Sequence, residues 1–128
     1  MKVIQELVAY FERRKKLNPT QIDKLLRKGY LATDAPRTMQ GLCEHLDETY
    51  YFRVQGEDNG PVWGTDIYTG DSALAAAALH AGAVDQAETA VVRVRVVAPL
   101  RSYTGSSRNG VTSRTFGQYG TAYRVERI

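Results

Sequence analysis

The first 31 residues carry apolar side chains at helical spacing. In KVIQELVAYFERRKK the apolar positions recur three and four residues apart, which is typical of one stripe along an α-helix. In the following NPTQIDKLLRKG, Asn18 is placed to cap a second helix and Gly29 to end it. The pattern therefore predicts a helical hairpin made of residues 2–16 and 19–28.

The apolar stripes of this hairpin need a surface to cover them. Besides Val3, they consist of the residues that we predict to bind a partner, which are Ile4, Leu7, Val8, Phe11, Ile22, Leu25 and Leu26. Two short helices cannot bury both stripes against each other alone. We therefore expect the hairpin to dock on the rest of the chain, on a second copy or on another protein.

Beyond the polar link TDAPRTMQG, the pattern becomes extended. TYYFRVQ is typical of a strand and the turn cluster GEDNGP ends it, while VWGTDIYT predicts one short strand interrupted by Gly64. In TAVVRVRVVA valines alternate with Arg93 and Arg95, which predicts a half-buried strand. Asn109 and Gly110 suit a type I′ hairpin turn, and TAYRVERI supplies a closing strand.

Between these strands, DSALAAAALHAG predicts a helix over residues 72–81. Asp71 or Ser72 can cap its first turn, and Gly82 can end it just past His80. The helix is apolar on every side, so we expect it to be buried on every side, with sheets covering it from more than one direction.

This run also resembles the LCCL domain family. The resemblance rests on VWGTDIYTGDSALAAAALHAGAV, followed by a Val-rich strand and then YTGSSRNGVTSRTFGQY, and it covers about residues 49–128. The run contains seven residues that we assign to the structural motif, namely Trp63, Asp66, Tyr68, Asp71, Ser72, His80 and Gly82. The resemblance implies an α+β fold in which antiparallel β-sheets wrap a central buried helix. The predicted organisation is a hairpin at 1–31, a connector at 32–48 and an LCCL-like domain at 49–128.

The cysteines depart from the family pattern. Secreted members carry disulfides, one of them anchored within the helix, where this chain has alanines at residues 75–78. The chain has one cysteine, Cys43, and it lies outside the matching blocks, so the resemblance implies a disulfide-free variant. Secreted members of the family are associated with binding of surface ligands such as lipopolysaccharide or glycans, and the resemblance implies a ligand of this class.

Composition and charge narrow the setting. At 128 residues, with 43% hydrophobic and 24% charged residues, the chain is typical of one globular domain and has no apolar run long enough for a bilayer. The N-terminus lacks a signal-peptide pattern, so we predict a cytoplasmic protein of a bacterial-type cell unless a leader was removed. Positive charge is concentrated towards the C-terminus, where residues 89–128 carry seven Lys or Arg and one acid. This pattern indicates either a polyanion partner or a solvated face.

Catalytic and metal sites have weak support. Ser72 and His80 would lie about 12 Å apart along one helix, so they cannot form a dyad, and we expect the His80 ring to bond a backbone carbonyl or an acid. Two histidines and one cysteine give no metal-ligand pattern, and no phosphate-binding loop is present. We therefore predict a non-enzymatic protein without cofactor or metal.

Arginines and aromatic residues of the C-terminal third are the best ligand candidates. Guanidinium and aromatic groups together suit phosphate, sulfate or sugar ligands. The predicted ligand-binding residues are Arg93, Arg95, Tyr103, Ser106, Arg108, Asn109, Arg114 and Tyr119. The sequence thus predicts a module that binds an anionic or glycan-like ligand. The alternative is an assembly or adaptor subunit that docks through its N-terminal hairpin, and nucleic acid stays open as a partner although no motif supports it.

Overall fold

A computed structural model of the chain describes Thr20 and residues 32–128. Apart from Thr20, the predicted helical hairpin lies outside the described residues. The described part is mostly β-structure with one short helix, which fits a mixed α+β class. Its helix is too short to cross a membrane, and no other described segment offers a longer apolar helix.

The strands form one mixed sheet and one small hairpin. They are β1 (Thr33–Asp34), β2 (Thr49–Gln55), β3 (Gly64–Thr65), β4 (Ile67–Thr69), β5 (Thr89–Val97), β6 (Ser107–Arg108), β7 (Val111–Thr112) and β8 (Ala122–Arg127), and the helix is α1 (Leu74–His80). The six-stranded sheet has the order β1-β2-β5-β8-β4-β3, and β6 pairs with β7. All pairings between these strands are antiparallel except that of β1 with β2, which is parallel and corrects the expectation of purely antiparallel sheets.

Three strands predicted from the sequence are confirmed. β2, β5 and β8 coincide with the segments TYYFRVQ, TAVVRVRVVA and TAYRVERI to within two residues at either end. Val94 of β5 lies opposite Tyr50 of β2 and Val125 of β8, and all three side chains are buried. Because side chains alternate between the two faces of a strand, this register sends Arg93 and Arg95 to the opposite, outer face.

The segment VWGTDIYT forms a tight hairpin, so the prediction of one short strand is wrong. β3 and β4 pair with each other, and the chain reverses at Asp66, which has a φ of 67°. Gly64 has a φ of 105°, and a Cβ at this position would overlap the carbonyl oxygen of Ile67. The two positive φ angles turn the chain back on itself, which an extended strand cannot do.

Helix α1 begins later than predicted and has a different cap. Its N-cap is Ala73, which makes no side-chain capping bond, so the predicted capping by Asp71 or Ser72 is wrong. The Ser72 hydroxyl instead accepts a hydrogen bond from the Trp63 backbone N–H at 3.0 Å. The first helical amide, that of Leu74, donates to the backbone carbonyl of Arg37 at 2.8 Å, which supplies the cap from a distant segment.

The predicted end of the helix is confirmed. Gly82 has a φ of 78° and its N–H donates to the Leu79 carbonyl, while the Ala83 N–H donates to the Ala78 carbonyl. This pair of bonds is a Schellman motif, which needs a residue that accepts a left-handed conformation. Gly82 meets that need without the steric cost of a side chain.

The helix is enclosed on most of its circumference. It contacts β2 and β8 of the large sheet and β7 of the small hairpin. Ala76, Ala77 and Ala78 have no exposed surface, whereas Ala75 is half-buried. The expectation of burial on every side is therefore right for the central alanines and wrong at Ala75.

The segment assigned to a connector, residues 32–48, takes part in the packing. β1 pairs with β2, and Met39 is fully buried in the core. The Met39 N–H donates to the Gly70 carbonyl at 3.0 Å. A strand of two residues has too few positions to show a periodic pattern, so its pairing could not be predicted from the sequence.

Candidate functional site

The eight predicted ligand-binding residues do not form one surface. Arg93 and Arg95 project from the outer face of β5. The other six belong to residues 103–119, a segment whose strand β7 packs on α1. The two groups therefore have to be considered separately.

The outer face of the large sheet brings arginines of different strands together. Arg95 lies directly opposite Arg124 of β8, and both residues are exposed. Neither makes an ion pair with a described residue. Like charges in opposite positions of neighbouring strands repel each other. A bound anion between the two guanidinium groups would relieve this repulsion.

Arg93 has a different environment from Arg95. Its guanidinium forms an ion pair with Glu126 at 3.2 Å and lies over the Tyr51 ring, 5.6 Å from the ring centroid. Arg93 is therefore partly neutralised and held in place, whereas the neighbouring Arg95 and Arg124 are not.

A hollow of about 250 Å³ lies beside these arginines. Its lining residues are Asp66, Ala81, Arg93, Arg95, Val97, Arg124, Val125 and Glu126. β4 pairs with β8 only at Ala122 and Tyr123, so the hollow lies where the second half of β8 has no strand neighbour on that side. Arg124 was not among the predicted ligand residues, since its place beside Arg95 depends on the pairing of β5 with β8.

Two residues of the small hairpin are occupied by structural partners. Arg108 forms an ion pair with Asp66 at 2.8 Å, which ties the tip of the β3–β4 hairpin to β6. Asn109 has a φ of 50° in the confirmed turn before Gly110, and its side-chain amide donates to the His80 carbonyl at 3.0 Å. Both residues stabilise the turn region, which weakens their assignment to a ligand.

Tyr103 is fully buried, so it cannot contact a ligand in this structure. Its hydroxyl accepts a hydrogen bond from the Leu100 N–H at 3.0 Å and donates to the Tyr119 carbonyl at 3.1 Å. Its assignment to the ligand site is therefore corrected to a structural role. A tyrosine in a turn-rich segment gave no sequence signal for this burial.

His80 is fully buried at the centre of a hydrogen-bond network. Its Nδ1 lies 2.9 Å from the Tyr68 hydroxyl, and its Nε2 lies 3.0 Å from the Ser106 carbonyl oxygen and 3.2 Å from the Ser106 hydroxyl. The ring thus bonds a backbone carbonyl, as predicted from the sequence.

The partners of His80 determine which ring nitrogen carries the proton. A carbonyl oxygen can only accept, so Nε2–H donates to Ser106 and Nδ1 accepts from Tyr68. Burial raises the pKa of Tyr68 to about 12, which keeps its hydroxyl protonated as the donor. In this tautomer the Nε2 that faces Ser106 already carries a hydrogen, so it cannot accept the hydroxyl proton of Ser106, and the short distance between them does not constitute a catalytic dyad.

Three aromatic rings, two from residues 98–121 and one just before β3, form a cluster on the surface. The Trp63 and Phe116 centroids lie 6.4 Å apart, and those of Phe116 and Tyr119 lie 6.1 Å apart, both in edge-to-face geometry. Phe116 is 45% exposed, and the other two are half-buried. Arg114, also exposed, is the β-bridge partner of Trp63. The cluster was not predicted, because Trp63 is more than fifty residues from the other two rings in sequence.

Metal ligands do not converge within the described residues, where no group of three His, Cys, Asp or Glu side chains could hold an ion. The thiol of Cys43 is partly buried and donates to the Met39 carbonyl at 3.4 Å. Burial, with a smaller contribution from Glu48, raises the pKa of Cys43 to about 11. This side chain is therefore held as an unreactive thiol at neutral pH.

Comparison with known proteins agrees with this architecture. The sequence model of the LCCL domain matches residues 42–122, and the chain therefore belongs to the LCCL domain family. This confirms the resemblance found in the sequence, although the match begins seven residues earlier than predicted. With a single cysteine, the chain has no internal disulfide.

Two curated relatives match about half of the chain. The human protein "Cysteine-rich secretory protein LCCL domain-containing 2" is 39% identical over 67 residues, which is 51% of this chain and 14% of the relative. The Schizosaccharomyces pombe protein "Transcriptional regulatory protein rxt3" is 32% identical over 73 residues, 52% of this chain and 21% of the relative. The chain therefore corresponds to about a fifth or less of the length of these relatives.

Proposed function

We propose that this LCCL domain is a non-enzymatic binding module that recognises an anionic ligand through the outer face of β5 and β8. Domains of the family often serve as binding or interaction modules. The observation that carries the proposal is the cross-strand pair of Arg95 and Arg124, two exposed guanidinium groups without an ion-pair partner among the described residues.

The size and lining of the hollow indicate the class of ligand. Its volume of about 250 Å³ is below the roughly 300–1,000 Å³ of sites that enclose drug-sized molecules. It suits one phosphate or sulfate group with part of an attached ring. Guanidinium groups bind such oxyanions through paired N–H donors, and Val97 offers an apolar contact for the ring. A sulfated or phosphorylated glycan combines both features.

A double substitution tests the proposal. Arg95→Gln with Arg124→Gln removes the pair, and we expect affinity for a sulfated heparin oligosaccharide to fall about 10- to 100-fold, with elution from a heparin column at lower salt. Stability should be unchanged or slightly higher, because a like-charge pair is removed.

The matched control is Arg37→Gln with Arg101→Gln, which removes the same charge from exposed positions that do not line the hollow. If both double variants elute at the same salt concentration, binding follows net charge alone. That result would favour the alternative of a solvated outer face.

The remaining hypotheses from the sequence stay predictions. Docking through residues 1–31 concerns residues outside the described part of the chain. The absence of catalysis, the cytoplasmic location and the bacterial-type source are likewise part of the proposal, and the structural hydrogen bonds of both His80 ring nitrogens support the first of them.

A further inference from the structure

A second surface, distinct from the arginine hollow, combines apolar exposure with positive charge. We define the aromatic patch as Trp63, Leu100, Phe116 and Tyr119. Phe116 is 45% and Leu100 is 37% exposed, which makes them two of the three large hydrophobic side chains that are exposed in the described part of the chain. Leu100 adjoins Tyr119, because the backbone groups of both residues bond the same Tyr103 hydroxyl.

The backbone beneath the patch is held in place by hydrogen bonds. The Arg114 N–H donates to the Val62 carbonyl at 2.7 Å and the Gly64 N–H donates to the Arg114 carbonyl at 3.0 Å, on either side of Trp63. Tyr103 and Phe116 exchange two backbone bonds of 2.8 and 2.9 Å. A preorganised surface loses little conformational entropy when a partner binds.

The rings meet by their edges, which leaves part of each ring open. Trp63 and Phe116 are inclined at 65°, and Phe116 and Tyr119 at 72°. Edge-to-face contacts cover less of a ring than stacking does. The result is an uneven apolar surface with Phe116 at its centre, which suits the insertion of a bulky side chain.

Arg114 supplies positive charge beside the patch. Arg114 is exposed, is the bridge partner of Trp63 and stands two residues before Phe116 in the chain, which places a positive charge next to these rings. It makes no ion pair with a described residue, and residues 98–121 contain no Asp or Glu. A partner at this face therefore gains from a carboxylate beside its apolar side chain.

We infer that the aromatic patch docks a protein segment that presents a bulky apolar side chain flanked by Asp or Glu. Trp, Tyr, Phe and Arg are the residue types enriched at the centres of protein interfaces. A polyanion needs a row of cations, whereas here two arginines, Arg101 next to Leu100 in the chain and Arg114 next to Trp63, accompany four apolar side chains. A second copy joined through the same patch would bring two positively charged patches together. The inference uses none of the residues that line the arginine hollow, so it stands independently of the proposed function.

Selection from a phage-displayed library of random 12-residue peptides on the full chain tests this inference. Enriched peptides should carry a bulky apolar residue with at least two acidic residues nearby, and a synthetic copy should bind in fluorescence polarisation. Phe116→Ala should weaken that binding at least tenfold and Arg114→Gln should weaken it about three- to tenfold. Arg114→Gln should melt with the parent because its side chain is exposed, while Phe116→Ala loses two ring contacts and should melt somewhat lower but still cooperatively.

Two controls distinguish binding at the aromatic patch from non-specific hydrophobic binding and from binding through the arginine hollow. Leu46→Ala removes an apolar side chain that is 62% exposed and lies outside the patch, and it should leave peptide binding unchanged. The Arg95→Gln and Arg124→Gln double variant should also bind normally, which keeps failure of the proposed anion site distinguishable from failure here.

Three results would overturn the inference. The first is selection that yields the same peptides on the parent and on Phe116→Ala. The second is binding on a glycan array that Phe116→Ala abolishes, without any peptide enrichment, which would assign the patch to carbohydrate. The third is sedimentation that shows the parent dimerising and Phe116→Ala monomeric, which would assign the patch to a second copy.

Discussion

Enlarging a central alanine of α1 should lower stability by an amount that the packing determines. Ala77 has no exposed surface and lies between the buried alanines 76 and 78. Leucine adds three carbon atoms that have no free volume to enter, and such overpacking costs about 1–3 kcal/mol. Alanine and leucine have similar helix propensities, so the substitution Ala77→Leu changes packing and little else.

The same helix supplies the matched control. Ala75 is half-buried and lines an open groove of about 510 Å³ together with Pro36 and Gly60. Ala75→Leu adds the same atoms in the same helix, but its side chain can extend into this groove. We expect its free energy of unfolding to stay within about 0.5 kcal/mol of the parent.

Urea and thermal unfolding of both variants measure the difference. A loss of 1 kcal/mol lowers Tm by about 4–8 °C in a domain of about 60–100 residues and by about 2–4 °C in one of about 150–250 residues, and this chain of 128 residues lies between the two. Ala77→Leu should therefore melt at least several degrees below Ala75→Leu, with an unchanged denaturant slope. If the two variants melt together with the parent, the central alanines are not enclosed and the packing described for α1 is wrong.

Two further predictions concern a glycine and the cysteine. Gly64→Ala should cost about 1–3 kcal/mol or more, because its φ of 105° and the nearby Ile67 carbonyl both exclude a side chain, while Gly117→Ala, which meets nothing within 4 Å, should be neutral in the same urea titration. Cys43, with a pKa raised from 9.0 to about 11, should react with iodoacetamide at pH 8 about 100-fold more slowly than in urea, and equal rates would contradict its burial. Since the folded state favours the protonated thiol, its stabilising contribution should be complete below pH 9 and lost as the pH rises towards 11.

Local signals in the sequence determined the regular elements. Alternation of valine and arginine was sufficient for β5, because the twofold repeat of a strand is a property of the chain itself. Asn109 and Gly110 accept positive φ angles, so the hairpin turn between β6 and β7 was equally predictable, as was the helix end at Gly82. The family resemblance likewise rested on contiguous blocks of residues.

Only the tertiary structure determined which side chains from distant segments lie next to each other. The register of β5 and β8 places Arg124 opposite Arg95, and the bridge at Arg114 brings Trp63 to Phe116. Tyr103 is buried in a structural role, and the backbone carbonyl of the distant Arg37 caps α1. The periodicities and turn preferences that a sequence displays act over a few residues, whereas these contacts join segments far apart in the chain. These contacts form because apolar side chains from the whole core are buried cooperatively, and no short stretch of sequence encodes that cooperative burial.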